Sequence, residues 1–317
     1  MARRVLITGG AGFIGSHLAE ELLRRGERIF IVDNLDDYYD AALKRKNLEE
    51  IKLAGSYELF PADIRDARSL REAFAAARPN AVVHLAARPG VAPSLREPEL
   101  YTSVNVLGTT NVFELSRQFA VEKIVFASSS SVYGKFDRVP FREDDAVAKP
   151  LSIYAATKLA GEALAFTYSS LYGLQTVCLR IFTAFGPRQR PDLAIRKFAG
   201  LIEDQKEIPV YGDGSMSRDY TYVTDVVDAI RQALDYQERF EIFNAGNSRT
   251  IRLDELIAGL EIALGKKAMR KYLPAPPGEM PVTFADLTKS REKLGYRPAV
   301  PFEEGIRRFV NWLRKNR

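Results

Sequence analysis

In YAATK, residues 154–158, a tyrosine and a lysine stand four positions apart. On a helix, positions i and i+4 share a face, so Tyr154 and Lys158 point the same way. A phenol titrates near ~10 and is a poor base at neutral pH. A lysine cation a few ångströms away favours the phenolate. Each unit of that shift is worth roughly 1.4 kcal/mol. Taken alone, the pair is better explained by a solvated helix face. Upstream, SSSSVYG (128–134) sets four hydroxyls at the end of the apolar run KIVFA. A linker would account for serines, but not for serines closing a buried strand. No carboxylate stands among them.

A third group of residues gives the tyrosine something to work with. TGGAGFIG (8–15) follows one apolar run and opens a helical pattern. It satisfies G-x-G-x-x-G through Gly10, Gly12 and Gly15, and T-G-x-x-G-x-x-G through Gly9, Gly12 and Gly15. Between a strand and a helix, such glycines permit a tight turn and close approach of a pyrophosphate to the helix N-terminus. Asp33 ends the next strand. A carboxylate there accepts from a ribose 2′-OH and repels a 2′-phosphate, which favours NAD over NADP. The positive nicotinamide ring then adds to the charge favouring the Tyr154 phenolate. Asp63, closing a third strand, either meets the adenine edge or caps a helix from 64 onward.

The elements that must position these groups alternate. Strands are predicted at 4–8, 28–33, 57–60, 81–86, 123–128 and 176–181, and helices at 14–25, 67–78, 99–119 and 152–172. The strands are continuously apolar, as in parallel sheets covered on both faces. That is a Rossmann-type, doubly wound α/β pattern. After about 182, prolines and glycines break the pattern into short pieces. A helix at 224–234 and a strand at 240–246 resume it, 274–301 reads as a long ordered loop, and 303–315 as an amphipathic helix. The expected division is a nucleotide domain over 1–181, rejoined by 219–246. A smaller interleaved C-terminal α/β lobe over 182–317 would bind substrate.

Composition narrows the function classes. The chain has 317 residues, 46% of them hydrophobic, enough for a large core. Lys and Arg number 46 against 41 Asp and Glu, interspersed, so the net charge of +5 suits a basic pocket for an anionic small molecule rather than nucleic acid. Cys178 is the single cysteine and lies in an apolar run, consistent with a core residue in a reducing cytoplasm. The two histidines, His17 and His84, read as buried helix and strand-end residues, and no residues have metal-ligand spacing. The apolar run at the N-terminus is too short for a membrane span, so no membrane association is expected.

TGGAGFIG, Asp33, HLAA (84–87), SSSSVYG, YAATK, RDYTYVTD (218–225) and FADLTKSREKLGYRP (284–298) together resemble the extended short-chain dehydrogenase/reductases over essentially the whole chain. DNLDDYYD (33–40), PLSIYAATK (150–158) and GPRQRPDLAIRKF (186–198) are most similar to the UDP-glucuronate 4-epimerases within that family. The resemblance implies bound NAD, with Phe13, Ile14, Asn34, Ile64, Leu85, Ala86 and Ala87 beside Gly9, Gly12, Asp33, Asp63, Tyr154 and Lys158 as its contacts. It makes Ser129, Tyr154 and Lys158 the catalytic residues. Tyr154 would take the sugar 4-OH proton, Ser129 would orient it, and Lys158 would hold the ribose.

Sugar-nucleotide dehydratases of the family carry Asp-Glu where this chain has Ser130 and Ser131, so a 4-keto sugar here should simply be reduced again. A 4-keto uronate is a β-keto acid prone to lose CO₂, so its carboxylate needs a clamp. Ser130, Ser131, Thr183 and Arg190 are the candidates, with Arg188 competing against Arg190. Arg218 is implied at the diphosphate, or else in an ion pair with Asp219. Tyr211 and Glu279 are implied toward the substrate nucleotide. Ala92 departs from an arginine common among uronate epimerases. Thr283 replaces a bulky aromatic of some hexose epimerases, leaving room for an N-acetyl sugar. A net reductase would need exchangeable NADPH, which Asp33 opposes. A non-catalytic NAD sensor of this fold often lacks the Tyr or Lys, and both are intact. The family often dimerises through the helices placed at 99–119 and 152–172.

Overall fold

The computed structural model describes residues 2–134, 138–274 and 280–316. Its strands are β1 (Arg4–Thr8), β2 (Arg28–Val32), β3 (Tyr57–Phe60), β4 (Ala81–His84), β5 (Lys123–Ser129), β6 (Gln175–Ile181), β7 (Thr183–Phe185), β8 (Glu207–Tyr211), β9 (Ser217–Tyr222), β10 (Phe240–Ala245), β11 (Thr250–Arg252) and β12 (Met269–Leu273). Seven of them form a parallel sheet in the order β10-β6-β5-β4-β1-β2-β3. The chain winds outward from β1 to β3, then returns to add β4 on the other side of β1. The crevice at that reversal is where α/β sheets bind ligands.

The sheet explains the unbroken apolar runs. Val5, Ile7, Ile29, Ile31, Val83, Val125 and Val177 pack into the core on one face. Their alternate neighbours Leu6, Phe30, Val32, Val82, Ile124 and Phe126 fill the core on the other. Successive strand side chains point to opposite faces, so covering both faces demands apolar residues at every position. Cys178 lies fully buried in the second of these cores.

The later segments build more regular structure than their prolines suggested. β7, β9 and β11 form a small sheet and β8 pairs with β12. Helices Ala194–Glu203 and Leu253–Leu264 pack there with the C-terminal helix Phe302–Lys315 around Phe185, Tyr222 and Phe309. Residues 219–222 therefore belong to the small sheet, and helix Val223–Asp235 with β10 makes the return to the large one. Within the expected 274–301 loop, Ser290–Leu294 forms a π-helical turn closed by Gly295 at φ 75°. Helix Ala41–Lys52, capped by Asp40, was not expected. Its charged sequence presents only Lys44, Asn47, Leu48 and Ile51 inward.

The helix expected over 99–119 is three pieces: Pro98–Thr102, a π-helical turn Ser103–Gly108, and Thr109–Gln118. Such turns frequently mark functional sites. This one carries the buried Asn105, whose Oδ1 accepts from Arg88 N (2.7 Å) and whose Nδ2 donates to Arg88 O (2.9 Å). One side chain thus holds both backbone groups of a residue at the cleft.

His84 is sandwiched between Thr8 Oγ1 (2.7 Å from Nδ1) and Thr109 Oγ1 (3.0 Å from Nε2). Burial lowers its pKa to about 3, and that of His17, bonded to the Pro187 carbonyl, to about 4. A folded-state pKa below the unfolded value of about 6.5 gives stability that is complete above pH 6.5. It is lost as pH falls toward 3, at about 1.4 kcal/mol per pH unit for His84. Asp219, pushed up to about 6 by burial, runs the other way and is most stabilising below its unfolded pKa. Chemical denaturation between pH 7 and 4 should therefore show a steeper acid loss in the native protein than in His84→Gln. Equal slopes would rule out His84 as its source.

Candidate active site

The C-terminal ends of β1, β4 and β5 open into a cleft of about 500 Å³. At its β1 end, Gly9 adopts φ 73°, a region L side chains rarely enter. A Cβ there would sit 2.8 Å from Ala86 N. A Cβ on Gly15 would lie 2.4 Å from Gly9 O, so that glycine is needed for the turn to close. Helix Phe13–Arg24 begins at Gly12 with no side-chain cap and no acid in its first turn. Its leading N–H groups are thus left for an anion, as a dinucleotide pyrophosphate requires.

Gly9, Gly12, Phe13, Ile14, Asp33, Asn34, Asp63, Ile64, Leu85, Ala86 and Ala87 all line the cleft. Asp33 is held rigidly: Oδ2 accepts from Ala11 N (3.1 Å) and Oδ1 from Leu35 N (2.9 Å). Lys44, which the sequence reading passed over, brings Nζ to 3.3 Å from Asp33 Oδ1 and lines the same end. Asp63 does not cap the following helix; Asp66 does, accepting from Arg68 N. Asp63 instead accepts from Asn34 Nδ2 (3.0 Å) and pairs with Arg65, at the cleft edge. These rigid acceptors and small residues fit an NAD-type dinucleotide.

The four serines take separate roles. Ser128 Oγ donates to buried Glu162 (2.5 Å) and is structural. Ser129 Oγ accepts from Ser131 N and donates to Ser131 Oγ, each at 3.2 Å, and lies beside Tyr154, where it favours the ionised phenol. Ser130 and Ser131 line the cleft. They sit in a 3₁₀ turn whose N-cap is Ser129. Helix Ile153–Tyr172, capped by Ser152 Oγ on Ala155 N, carries Tyr154 and Lys158 into the same space.

Lys158 faces Tyr154, as the spacing suggested, and is also bound to the end of β5. Its Nζ donates to Ala127 O (2.7 Å) and lies 6.0 Å from the Tyr154 ring centre, and burial pulls its pKa to about 8. Burial also dominates at Tyr154 and raises the phenol above its ordinary value. The Ser129 hydrogen bond and then the positive charge of Arg190 oppose that rise. Arg190 is thus a second cation facing Tyr154, beside Lys158.

Thr183, Arg190 and Arg218 line the cleft with Thr283. Arg188 does not. It turns away into an ion pair with Glu20 and another with Glu50 (2.6 Å). Asp219, proposed as a partner for Arg218, accepts instead from the backbone of Asn247, Ser248 and Ala285. Tyr211, on β8, is 38% exposed and is not among the residues lining the cleft. Glu279 lies outside the described residues.

Sequence reading missed Tyr38. Its ring has two guanidinium groups nearby, Arg88 at 5.2 Å and Arg190 at 5.6 Å, and its hydroxyl lies close to Tyr101. Tyr101 meets Tyr154 edge-on at 6.5 Å. Arg88 is itself paired with Asp36 (2.6 Å). The paired tyrosines of DDYYD were the available signal. Among the described residues there is no cluster of metal-ligating side chains, and no helix is long and apolar enough to cross a membrane.

Comparison with known proteins agrees with this geometry. A family model described as GDP-mannose 4,6 dehydratase matches residues 6–309. A UDP-glucuronate 4-epimerase of Thermodesulfobacterium geofontis is 41% identical over 312 residues, 98% of this chain and 96% of that protein. The structure of a UDP-glucuronic acid 4-epimerase from Bacillus cereus, in complex with UDP-glucuronic acid and NAD, superposes with TM-score 0.92 at 32% identity, covering 99% of both chains. A UDP-glucose 4-epimerase of Thermus thermophilus in complex with NAD gives 0.90 at 36% identity over 98% of each. A family match spanning β1 to the last helix, with relatives above 30% identity along nearly the full length, places the chain among the extended short-chain dehydrogenase/reductases, to which it belongs.

Proposed function

We propose that the protein is an NAD-dependent UDP-sugar 4-epimerase whose preferred pair is UDP-glucuronate and UDP-galacturonate. The observation carrying this reading is the junction of Tyr154, Ser129 and Arg190 at one end of the cleft, beside two serines in place of an acid pair. Tyr154, once ionised, takes the proton of the sugar 4-OH as the C4–H bond breaks and the C4 carbonyl forms. Bound NAD supplies the hydride acceptor for that step and the donor for its reversal. Ser129 orients the oxygen, and Tyr154 returns the proton when hydride reaches the opposite face. Lys158, bonded to Ala127 O, would hold the cofactor ribose and favour the phenolate. Ser130 and Ser131 offer hydroxyls to the sugar but no acid or base for eliminating water. The family model's dehydratase description does not extend to this chain's proposed chemistry.

Arg190 suits the uronate carboxylate. Asp192 occupies Nε (3.0 Å) and Nη2 (2.9 Å), and a guanidinium has five donors, so the Nη1 side remains for a second acceptor. Thr183 lies on the same wall. Holding the carboxylate in the ketone plane keeps its C–C bond from aligning with the carbonyl π system and suppresses loss of CO₂. A second reading, a hexose or N-acetylhexosamine epimerase, is favoured by Thr283, a small side chain on the cleft wall whose Oγ1 accepts from Asp219 N.

The proposed assembly is a homodimer through the helices over 98–118 and 153–172. Val112 and Phe113 belong to the core, but Leu107, Phe166 and Leu171 are 52%, 57% and 67% exposed. The buried single cysteine supports a cytosolic setting. The division at 181/182 and the diphosphate role of Arg218 belong to the same reading.

The test is to incubate the purified protein, without added NAD, with UDP-glucuronate, UDP-glucose or UDP-N-acetylglucosamine, and to follow the anomeric protons by NMR. UDP-galacturonate rising to a plateau is the expected result. A UDP-pentose product would show decarboxylation and sink the clamp. Turnover of the neutral sugars alone would install the second reading.

A further inference from the structure

The segment carrying Arg190 is fastened to the nucleotide domain by a buried charge cluster that the proposed chemistry does not use. Arg188 adopts φ 63°, unusual for a residue with a side chain. That conformation sends its side chain backward, only 9% exposed, between the helices Phe13–Arg24 and Ala41–Lys52. There it pairs with Glu20 of the first helix. With Glu50 of the second, Nε makes a 2.7 Å bond and Nη2 a 2.6 Å one. His17, also on the first helix, bonds to the Pro187 carbonyl at 3.0 Å. From the other side, Arg196 donates to the Gln189 carbonyl (2.5 Å), and Gln189 Nε2 donates to Ala184 O (3.2 Å). Residues 187, 188 and 189 are each tied down, and Arg190 leaves this anchored turn into the cleft.

We propose that Arg188 is a positioning residue for Arg190: with Glu20 and Glu50 it sets the second guanidinium against Tyr38 and Tyr154 before a sugar arrives. The inference rests on Arg190 meeting the substrate carboxylate. A guanidinium free to wander on a loop would lose conformational entropy at every binding event, whereas a preset one keeps its full interaction with the ligand. The side chains Phe13 and Ile14 that line the cofactor end sit on the same helix as His17 and Glu20. The arginine fork is required, because Arg188 reaches two carboxylates on different helices at once, which a lysine point charge does poorly.

The experiment uses the intact protein. Calorimetric binding of UDP-glucuronate, UDP-glucose and UDP is measured for native protein, Arg188→Lys, Arg190→Leu and the double variant, with melting temperatures alongside. Arg188→Lys retains the buried positive charge and is chosen to keep the fold. It should weaken UDP-glucuronate about tenfold, with UDP-glucose and UDP changed less than about twofold. In turnover the loss should fall on KM rather than kcat. In the Arg190→Leu background the effect of Arg188→Lys on UDP-glucuronate should vanish, since it acts through Arg190. Equal weakening of all three ligands, an unchanged uronate preference, or an effect that persists without Arg190 would each overturn the proposal. If native protein does not favour UDP-glucuronate over UDP-glucose, the substrate reading fails and takes this inference with it. If it does and Arg188→Lys keeps that preference, the inference fails alone.

Discussion

Tyr154→Phe should lower kcat for epimerisation by about a thousandfold or more while changing UDP-sugar affinity by less than about threefold. The substitution removes one oxygen from a ring that is otherwise held by its neighbours, with Tyr101 edge-on and Ser152 capping the helix start. What is lost is the hydroxyl, next to Ser129, that is proposed to accept the proton from the sugar. Because burial lifts the phenol above its ordinary value, it is mainly protonated at neutral pH, and the active fraction grows as pH rises. Turnover in the native protein should therefore climb on its acid limb. Whatever rate survives in Tyr154→Phe should lack that limb. Calorimetric affinity beside a pH–rate profile checks both parts. A variant retaining a tenth of the native rate, or the same acid limb, would mean that another group carries the proton.

The largest stability effect is expected at Glu162. This carboxylate is 5% exposed and grips Arg180, 2% exposed, through two parallel 2.9 Å hydrogen bonds. Arg180 lies 4.8 Å over the Tyr133 ring, and Tyr133 OH donates to Asn244 Oδ1 (2.6 Å). Glu162→Ala strands a buried guanidinium and should cost about 3–5 kcal/mol. The pair as a whole need not be stabilising, because two charges lose their hydration on burial. Glu162→Leu combined with Arg180→Met should recover most of the loss. Urea unfolding of the two single variants and the double variant closes the cycle. A double-variant loss equal to the sum of the two single losses would deny the coupling. Glu162 also follows Lys158 by one helical turn, so the pair fixes which face of the helix meets the sheet. Some loss of activity is therefore expected alongside the loss of stability.

Much of the nucleotide half was legible because its signals are local. Glycines at 9, 12 and 15 are demanded by one turn and by backbone that passes within about 3 Å of where a Cβ would be. The i, i+4 spacing of Tyr154 and Lys158 needs only that the helix form. Continuous apolar runs named six strands of the large sheet, since both faces are covered. The C-terminal lobe was read less well, and the reason is physical. Its strands are short, several are half exposed, and they pair with partners far along the chain, so period and propensity say little there.

What only the tertiary structure decided was direction and field. Arg188 and Arg190 are two residues apart and chemically identical, yet a positive φ sends one to Glu20 and Glu50 and leaves the other beside Tyr154. Four adjacent serines divide between a buried carboxylate, a tyrosine and an open cleft, according to where β5 ends and the 3₁₀ turn begins. Lys158 faces the same way as Tyr154, as its spacing required, but it also donates to the Ala127 carbonyl and burial pulls its pKa to about 8. Residue types and spacing determined which groups could meet. Their protonation and partners depend on distances set by segments remote in the chain, and electrostatic energy follows those distances rather than sequence order.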